Sequence, residues 1–210
     1  MSPKTQNSAP LLLSIILPAY NEGANIHANI LRICEALQGH HFEVIVVDDG
    51  SQDNTHDEAQ RASLDGYPIQ TIRQDANRGK GATLFHGFEF TSGERVAFLD
   101  ADLEIAPEYL LQLMQVMDES GADVVAGVKD ADDNQFPWVR RMMSSLYRRI
   151  VAFLFGLSIT DTQTGIKFFK REVLAATVPR LKVSRFAFDI ELLVAASRFG
   201  FTIEIGRAHV

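Results

Sequence analysis

Val96-Ala97-Phe98-Leu99-Asp100-Ala101-Asp102 runs an apolar strand straight into two carboxylates. Residues along a strand alternate sides, so acids at i and i+2 beyond its carboxyl end face the same way. Two such carboxylates repel unless a cation lies between them, and hard oxygen donors suit Mg²⁺ or Mn²⁺ carrying a substrate phosphate. Taken alone, Asp-x-Asp after a strand is more often a solvated turn. Its surroundings must decide.

Outward from this stretch, short β-rich runs alternate with helical patterns. Leu12 to Leu17, Phe42 to Asp48, Ile69 to Ile72, Val96 to Leu99 and Asp123 to Ala126 read as strands. Glu22 to Leu37, Asn54 to Ser63, Lys80 to Phe90 and Pro107 to Glu119 carry helical apolar spacing, with Pro107 suited to a first turn. Nearly continuous apolar strands imply burial on both faces. The expected fold is therefore α/β, a mostly parallel central sheet flanked by helices. In such sheets ligands bind at the carboxyl ends of the strands.

The polar residues gather at those ends. Strand one runs into Pro18-Ala19-Tyr20-Asn21-Glu22, strand two into Asp48-Asp49-Gly50-Ser51 and strand four into Asp100-Ala101-Asp102. Asp-Asp-Gly-Ser by itself is ordinary turn and cap chemistry, but two buried strands built the same way are hard to explain as repeated turns. Asn77-Arg78-Gly79-Lys80-Gly81 opens a helix with two glycines and two cations, a cradle for a diphosphate at a positive helix end. It lacks the full phosphate-loop pattern and reads equally well as a loop before a helix.

Composition narrows the classes. The 210 residues carry a net charge of −7, which argues against a general nucleic-acid binder. The single cysteine, Cys34, cannot form an internal disulfide and falls in a helical pattern, as a core residue of a reducing compartment would. No run of about 20 apolar residues could span a bilayer.

Leu17-Pro18-Ala19-Tyr20-Asn21-Glu22, Val47-Asp48-Asp49-Gly50-Ser51, Asn77-Arg78-Gly79-Lys80-Gly81 and Asp100-Ala101-Asp102-Leu103 resemble, in order, the motifs of family 2 inverting glycosyltransferases with the GT-A fold. Asp161-Thr162-Gln163-Thr164-Gly165-Ile166-Lys167 and Arg185-Phe186-Ala187-Phe188-Asp189-Ile190-Glu191-Leu192 resemble the polyprenyl-phosphate branch, nearest the dolichyl-phosphate β-glucosyltransferases and next the dolichol-phosphate mannose synthases. The resemblance implies that Pro18, Ala19, Tyr20, Glu22, Asp48 and Asp49 frame the nucleoside, with Ala101 beside them, and that Lys80 meets the base or diphosphate. It implies a metal, Mg²⁺ or Mn²⁺, on Asp100 and Asp102, with Glu104 as a further ligand where relatives often carry Gln. Lys80, Asp102 and Asp161 are then the catalytic candidates, and Lys129, Arg140, Arg141, Asp161 and Gln163 the acceptor side. Asp189 and Glu191 are secondary candidates, since acids at a helix start also have a structural reading.

The activity so implied is metal-dependent transfer of a hexose, glucose from UDP-glucose, to a polyprenyl or dolichyl phosphate with inversion. A GDP-mannose donor, or a saccharide hydroxyl acceptor in cell-envelope polysaccharide synthesis, is the alternative. One departure bears on the acceptor. Where a basic Gly-Ser-Lys/Arg-Arg loop is expected after the fifth strand, this chain has Gly127-Val128-Lys129-Asp130-Ala131-Asp132-Asp133, whose acids repel a phosphate.

Trp138 to Ile159 contains no acid and four arginines. On a helical wheel Arg140, Arg141, Arg148 and Arg149 share one half, while Val139, Met142, Met143, Leu146, Ile150, Phe153, Leu154 and Leu157 cluster opposite. An ordinary helix packed on the core and an interfacial helix on anionic lipid both fit. The second implies a cytoplasmic chain held peripherally at the inner face of the cytoplasmic membrane. Three divisions are expected: a disordered segment over 1–10, one domain over 11–203, and a non-native tail over 204–210. The tail back-translates to a common sequencing-library adapter, which implies a missing natural C-terminus and no function for Arg207 or His209.

Overall fold

The computed structural model describes residues 13–129, 165–182 and 188–208. The chain alternates as the sequence predicts: β1 (Leu13–Ala19), α1 (Ile26–Ala36), β2 (Phe42–Asp48), α2 (Thr55–Ser63), β3 (Ile69–Arg73), α3 (Lys80–Phe88), β4 (Arg95–Leu99), α4 (Tyr109–Ser120) and β5 (Val124–Lys129). After the undescribed stretch come β6 (Ile166–Lys170), α5 (Arg171–Thr177), α6 (Phe188–Arg198) and β7 (Ile203–Ala208). No helix among the described residues is long and apolar enough to cross a membrane.

The strands form one sheet in the order β3-β2-β1-β4-β6-β5-β7. All pairings are parallel except those of β6, which runs antiparallel to β4 and to β5. Alternation divides the side chains between two apolar layers. Leu13, Ile15 and Leu17 of β1 pack with Ile26, Ile30 and Ile33 of α1 and with Leu110 and Leu113 of α4. Ile16 of the same strand faces the opposite layer, with Leu84 of α3, Phe98 of β4, Phe169 of β6 and Leu192 of α6. Burial on both faces accounts for the near-continuous apolar strands. Cys34 lies wholly inside the first layer, and burial pushes its thiol up to about 12, in keeping with a core residue.

Chain order reverses at β1, which has β2 on one side and β4 on the other. Connections leave such a switch point in opposite directions and open a crevice at the strand ends. That crevice lies between the ends of β1 and β4.

Differences from the sequence reading have local causes. Helix α1 begins at Ile26 rather than Glu22, because residues 22–25 form the entering turn, with the Asn25 and Ile26 amides donating to the Glu22 carbonyl. Helix α5 and strand β7 escaped the reading. Strand β7 pairs in parallel with β5 from Val124↔Ile203 to Lys129↔Ala208, so residues 204–208 of the expected tail lie in the sheet. Arg140, Arg141, Asp161, Gln163, residues 138–159 and residues 1–10 fall outside the described residues, while Lys129 closes β5.

Candidate active site

Two rim loops are stitched together before any ligand is considered. After β1, Asn21 adopts a left-handed backbone with φ of 56°, a conformation its short polar side chain tolerates. Its amide donates to Ser51 Oγ at 2.9 Å, and its Oδ1 accepts from the Gln52 amide at 3.0 Å. The Glu22 amide donates to Thr55 Oγ1 at 2.8 Å and the Gly23 amide to Asp53 Oδ2 at 3.0 Å. The Pro-Ala-Tyr-Asn-Glu stretch is thus fixed by the loop after β2.

The adjacent acids of that second loop do different work. Asp48 is fully buried; its Oδ1 accepts from the Ser51 amide at 2.9 Å, and Arg73 Nε stands 3.4 Å from its Oδ2. It does not line the cleft and holds the rim from beneath. Asp49 does line the cleft. Its Oδ1 accepts from the Arg78 amide at 2.7 Å and its Oδ2 from the Gly79 amide at 2.9 Å, binding the loop that opens α3. Gly50, at φ +70°, permits this approach: a Cβ there would lie 2.7 Å from the Ala76 carbonyl carbon.

Lys80 then begins α3 and points its ammonium at β4, 2.5 Å from Asp100 Oδ1. Asp100 is backed by the start of β6. Its amide donates to the Gly165 carbonyl at 3.0 Å, and a Cβ on Gly165 would come within 2.9 Å of Asp100 Oδ2. Asp102 is exposed, and its Oδ1 accepts from the Glu104 amide at 3.2 Å. Between these acids the buried Ala101 presents its carbonyl to Asn29 Nδ2 at 2.8 Å.

Pro18, Ala19, Tyr20, Glu22, Asp49, Lys80, Asp100, Ala101 and Asp102 line one cleft of about 260 Å³. Asn77, Gly79 and Thr83 complete the wall. These three were not singled out in the sequence, although Asn77 and Gly79 lie inside a quoted motif and Thr83 follows Lys80 by three residues, nearly one helical turn. Thr83 Oγ1 accepts from the buried Gln74 Nε2 at 2.9 Å, and Gln74 belongs to no motif.

The cleft is electrostatically uneven. Burial first, then the negative charges of Asp102 and Asp53, push the Glu22 carboxyl above its ordinary range. A divalent cation beside Asp102 would relieve that repulsion, and Asp100 and Asp102 offer hard oxygen donors on the same wall, so the residues present fit a metal. A three-ligand set is not assembled: no group of three His, Cys, Asp or Glu side chains among the described residues could hold an ion. Leu103, at φ +50°, turns its own side chain inward and leaves Glu104 exposed. Glu104 as a further ligand therefore rests on the resemblance.

Comparison with known proteins bears on the fold and the family. A dolichol-phosphate mannosyltransferase of Pyrococcus furiosus is 36% identical over 135 residues, covering 63% of this chain and 38% of that protein. Glycosyltransferase AglD of Haloferax volcanii is 29% identical over 207 residues, covering 96% of this chain and 33% of that protein. The chain thus spans little more than a third of these relatives' length. Among solved structures, glucosyl-3-phosphoglycerate synthase of Mycobacterium tuberculosis, in complex with Mn²⁺, UDP and phosphoglyceric acid, superposes with a TM-score of 0.73 at 22% identity, over 95% of this chain and 70% of that one. The mannosyltransferase PcManGT of Pyrobaculum calidifontis, in complex with GDP-mannose and Mn²⁺, gives 0.69 at 19% identity, over 96% and 56%. The sheet is therefore of the GT-A type. A model of "Glycosyl transferase family 2" matches residues 14–177, and the chain belongs to that family.

Proposed function

We propose that the protein transfers a hexose from a nucleoside diphosphate sugar to a polyprenyl or dolichyl phosphate with inversion, in a metal-dependent reaction whose donor is UDP-glucose. The observation that carries the donor half is the convergence of three strand ends and the start of α3 on one cleft, with Lys80, Asp100 and Asp102 in its wall. The acceptor half is supported by the dolichol-phosphate mannosyltransferase relative and by the motifs around Asp161 and Asp189.

A divalent cation held by Asp100 and Asp102 would neutralise charge on the departing diphosphate. Asp49 fixes the Arg78–Gly79 backbone and so sets where α3 begins. Lys80 thereby brings its ammonium to the positive end of that helix, where an anionic leaving group is favoured. Pro18, Ala19 and Tyr20 provide a wall for the nucleoside. An acceptor phosphate monoester, with its second pKa at about 6, is already largely dianionic at neutral pH and needs little deprotonation. Asp161 would then orient the acceptor rather than serve as a strong base, with Lys129, Arg140, Arg141 and Gln163 contributing to phosphate binding. A peripheral membrane position through residues 138–159 belongs to the same reading.

A GDP-mannose donor is the second reading, favoured by the identity to the mannosyltransferase. One experiment tests both: radiolabelled UDP-glucose or GDP-mannose is incubated with dolichyl phosphate and Mg²⁺, and label is counted in the organic phase. Label from UDP-glucose is the expected result. Label from GDP-mannose alone establishes the second reading, and nucleotide release with no lipid label from either donor contradicts the lipid acceptor.

A further inference from the structure

On the side of the sheet that carries α3 and α6 lies a buried charged pair with no part in the donor cleft as described. Lys167 of β6 is 3% exposed and Asp189, in the first turn of α6, is 7% exposed. Lys167 Nζ stands 2.9 Å from Asp189 Oδ1. Lys167 lies between Phe98 of β4 and Ala126 of β5 in the sheet register. Two ions withdrawn from water lose more hydration than their attraction commonly restores, and apolar residues often stabilise such a place better. Stability alone is a weak reason for this pair.

Its position supplies a better one. Helices α3 and α6 meet through Phe85 and Phe188, whose rings pack edge to face with centroids 5.9 Å apart. Lys80 and Asp189 therefore stand in the first turns of touching helices, on one side of the sheet. Burial pushes the Asp189 carboxyl upward; Lys167 and then Lys80 draw it down, and Asp100 raises it, so the four charges share one field. Lys80 touches Asp100 and has a second carboxylate within its field. A lysine stem is long enough to exchange one partner for another.

We propose that Lys167 is a positioning residue: by neutralising Asp189 it removes a competing anion and leaves the Lys80 ammonium on the cleft side, at Asp100, where a nucleoside diphosphate is taken up. This rests on the nucleotide-sugar reading of the cleft. Without Lys167, Asp189 draws Lys80 inward and the diphosphate loses its cation. Without Asp189 as well, that competing anion is gone and Lys80 stays in place.

The test is calorimetric titration of UDP and of GDP, each with Mn²⁺, into wild type, Lys167→Met, Asp189→Asn and the double variant, with folding followed by thermal unfolding. Lys167→Met is expected to weaken nucleotide binding by about tenfold or more, while the double variant returns to within about threefold of wild type. Asp189→Asn alone is also expected within about threefold. A purely structural pair would give binding losses that track the unfolding temperature and no recovery in the double variant. Folded Lys167→Met that binds as tightly as wild type, or a double variant as weak as Lys167→Met, overturns the inference. Should Lys167→Met fail to fold, a tenfold loss in folded Asp189→Asn or in the folded double variant overturns it equally. Wild type that binds neither nucleotide overturns the nucleotide reading itself, a result distinct from any pattern among the variants.

Discussion

The Asp49 carboxylate accepts from the Gly79 amide at 2.9 Å on one oxygen and, on the other, from the Arg78 amide at 2.7 Å. The end of β2 thus grips the residue before Lys80, and the diphosphate cradle is set by an acid that need not touch the phosphate. Asp49→Asn keeps the shape but replaces one acceptor oxygen with a donor facing an N–H. Charged hydrogen bonds of this kind contribute about 1.5–3 kcal/mol each, so UDP affinity should fall by about tenfold or more with little change in far-ultraviolet dichroism. Titration of the variant with UDP and Mn²⁺ checks it, and unchanged affinity would mean that the loop is held by other contacts.

Gly165 offers a steric test of the Asp100 position. A methyl at this residue would meet Asp100 Oδ2 at 2.9 Å, and β6 continues directly from it. Gly165→Ala should displace the carboxylate while leaving the strand paired, lowering Mn²⁺ affinity about tenfold with an unfolding temperature within a few degrees of wild type. Electron paramagnetic resonance of bound Mn²⁺ separates the two effects. A variant that loses stability but retains Mn²⁺ affinity would remove Gly165 from the site.

Two acids should respond to pH with opposite sign. Asp123 accepts from Lys170 Nζ at 2.7 Å and from the Thr202 amide and hydroxyl, and these bonds, Lys170 first, hold its carboxyl below the ordinary range. Its contribution is present above the unfolded value near 3.8 and drains away as pH falls through the lower folded value. Glu22, pushed up by burial and by Asp102 and Asp53, behaves conversely: stability is lost as pH rises from the unfolded value near 4.5 through the folded one. Unfolding temperatures across the acid range should therefore show Asp123→Asn destabilised by about 1 kcal/mol at neutral pH, with the deficit closing in acid. Glu22→Gln should equal or exceed wild type at neutral pH and lose that advantage in acid. The reverse ordering would refute the charge assignments.

What the sequence reveals and what it hides follow from the range of the forces involved. Apolar runs such as Val44 to Val47 are local signals, and their burial on both faces specifies a helix-covered sheet. Strand-end polar residues are equally legible, since the switch-point rule says where they gather. The direction of β6 is not encoded in Ile166 to Phe169, because an apolar strand reads the same in either sense. Asp48 and Asp49 are neighbours of one residue type, yet one lies wholly beneath the rim and the other on the cleft wall. Only the fold, through Arg73 on one side and the Arg78–Gly79 amides on the other, separates them. Gln74 belongs to no motif, and neither its bond to Thr83, 9 residues away, nor the pairing of Lys167 with Asp189, 22 residues away, can be read from local pattern.

The central claim, a metal and a nucleoside diphosphate held together at Asp100 and Asp102, is tested most directly by titrating UDP into wild type and Asp102→Asn, each with and without Mn²⁺. The account predicts Mn²⁺-dependent binding to wild type that weakens at least about a hundredfold in the variant, an effect of about 2.7 kcal/mol. UDP binding of equal strength in the two proteins, or binding indifferent to Mn²⁺ in wild type, would contradict it.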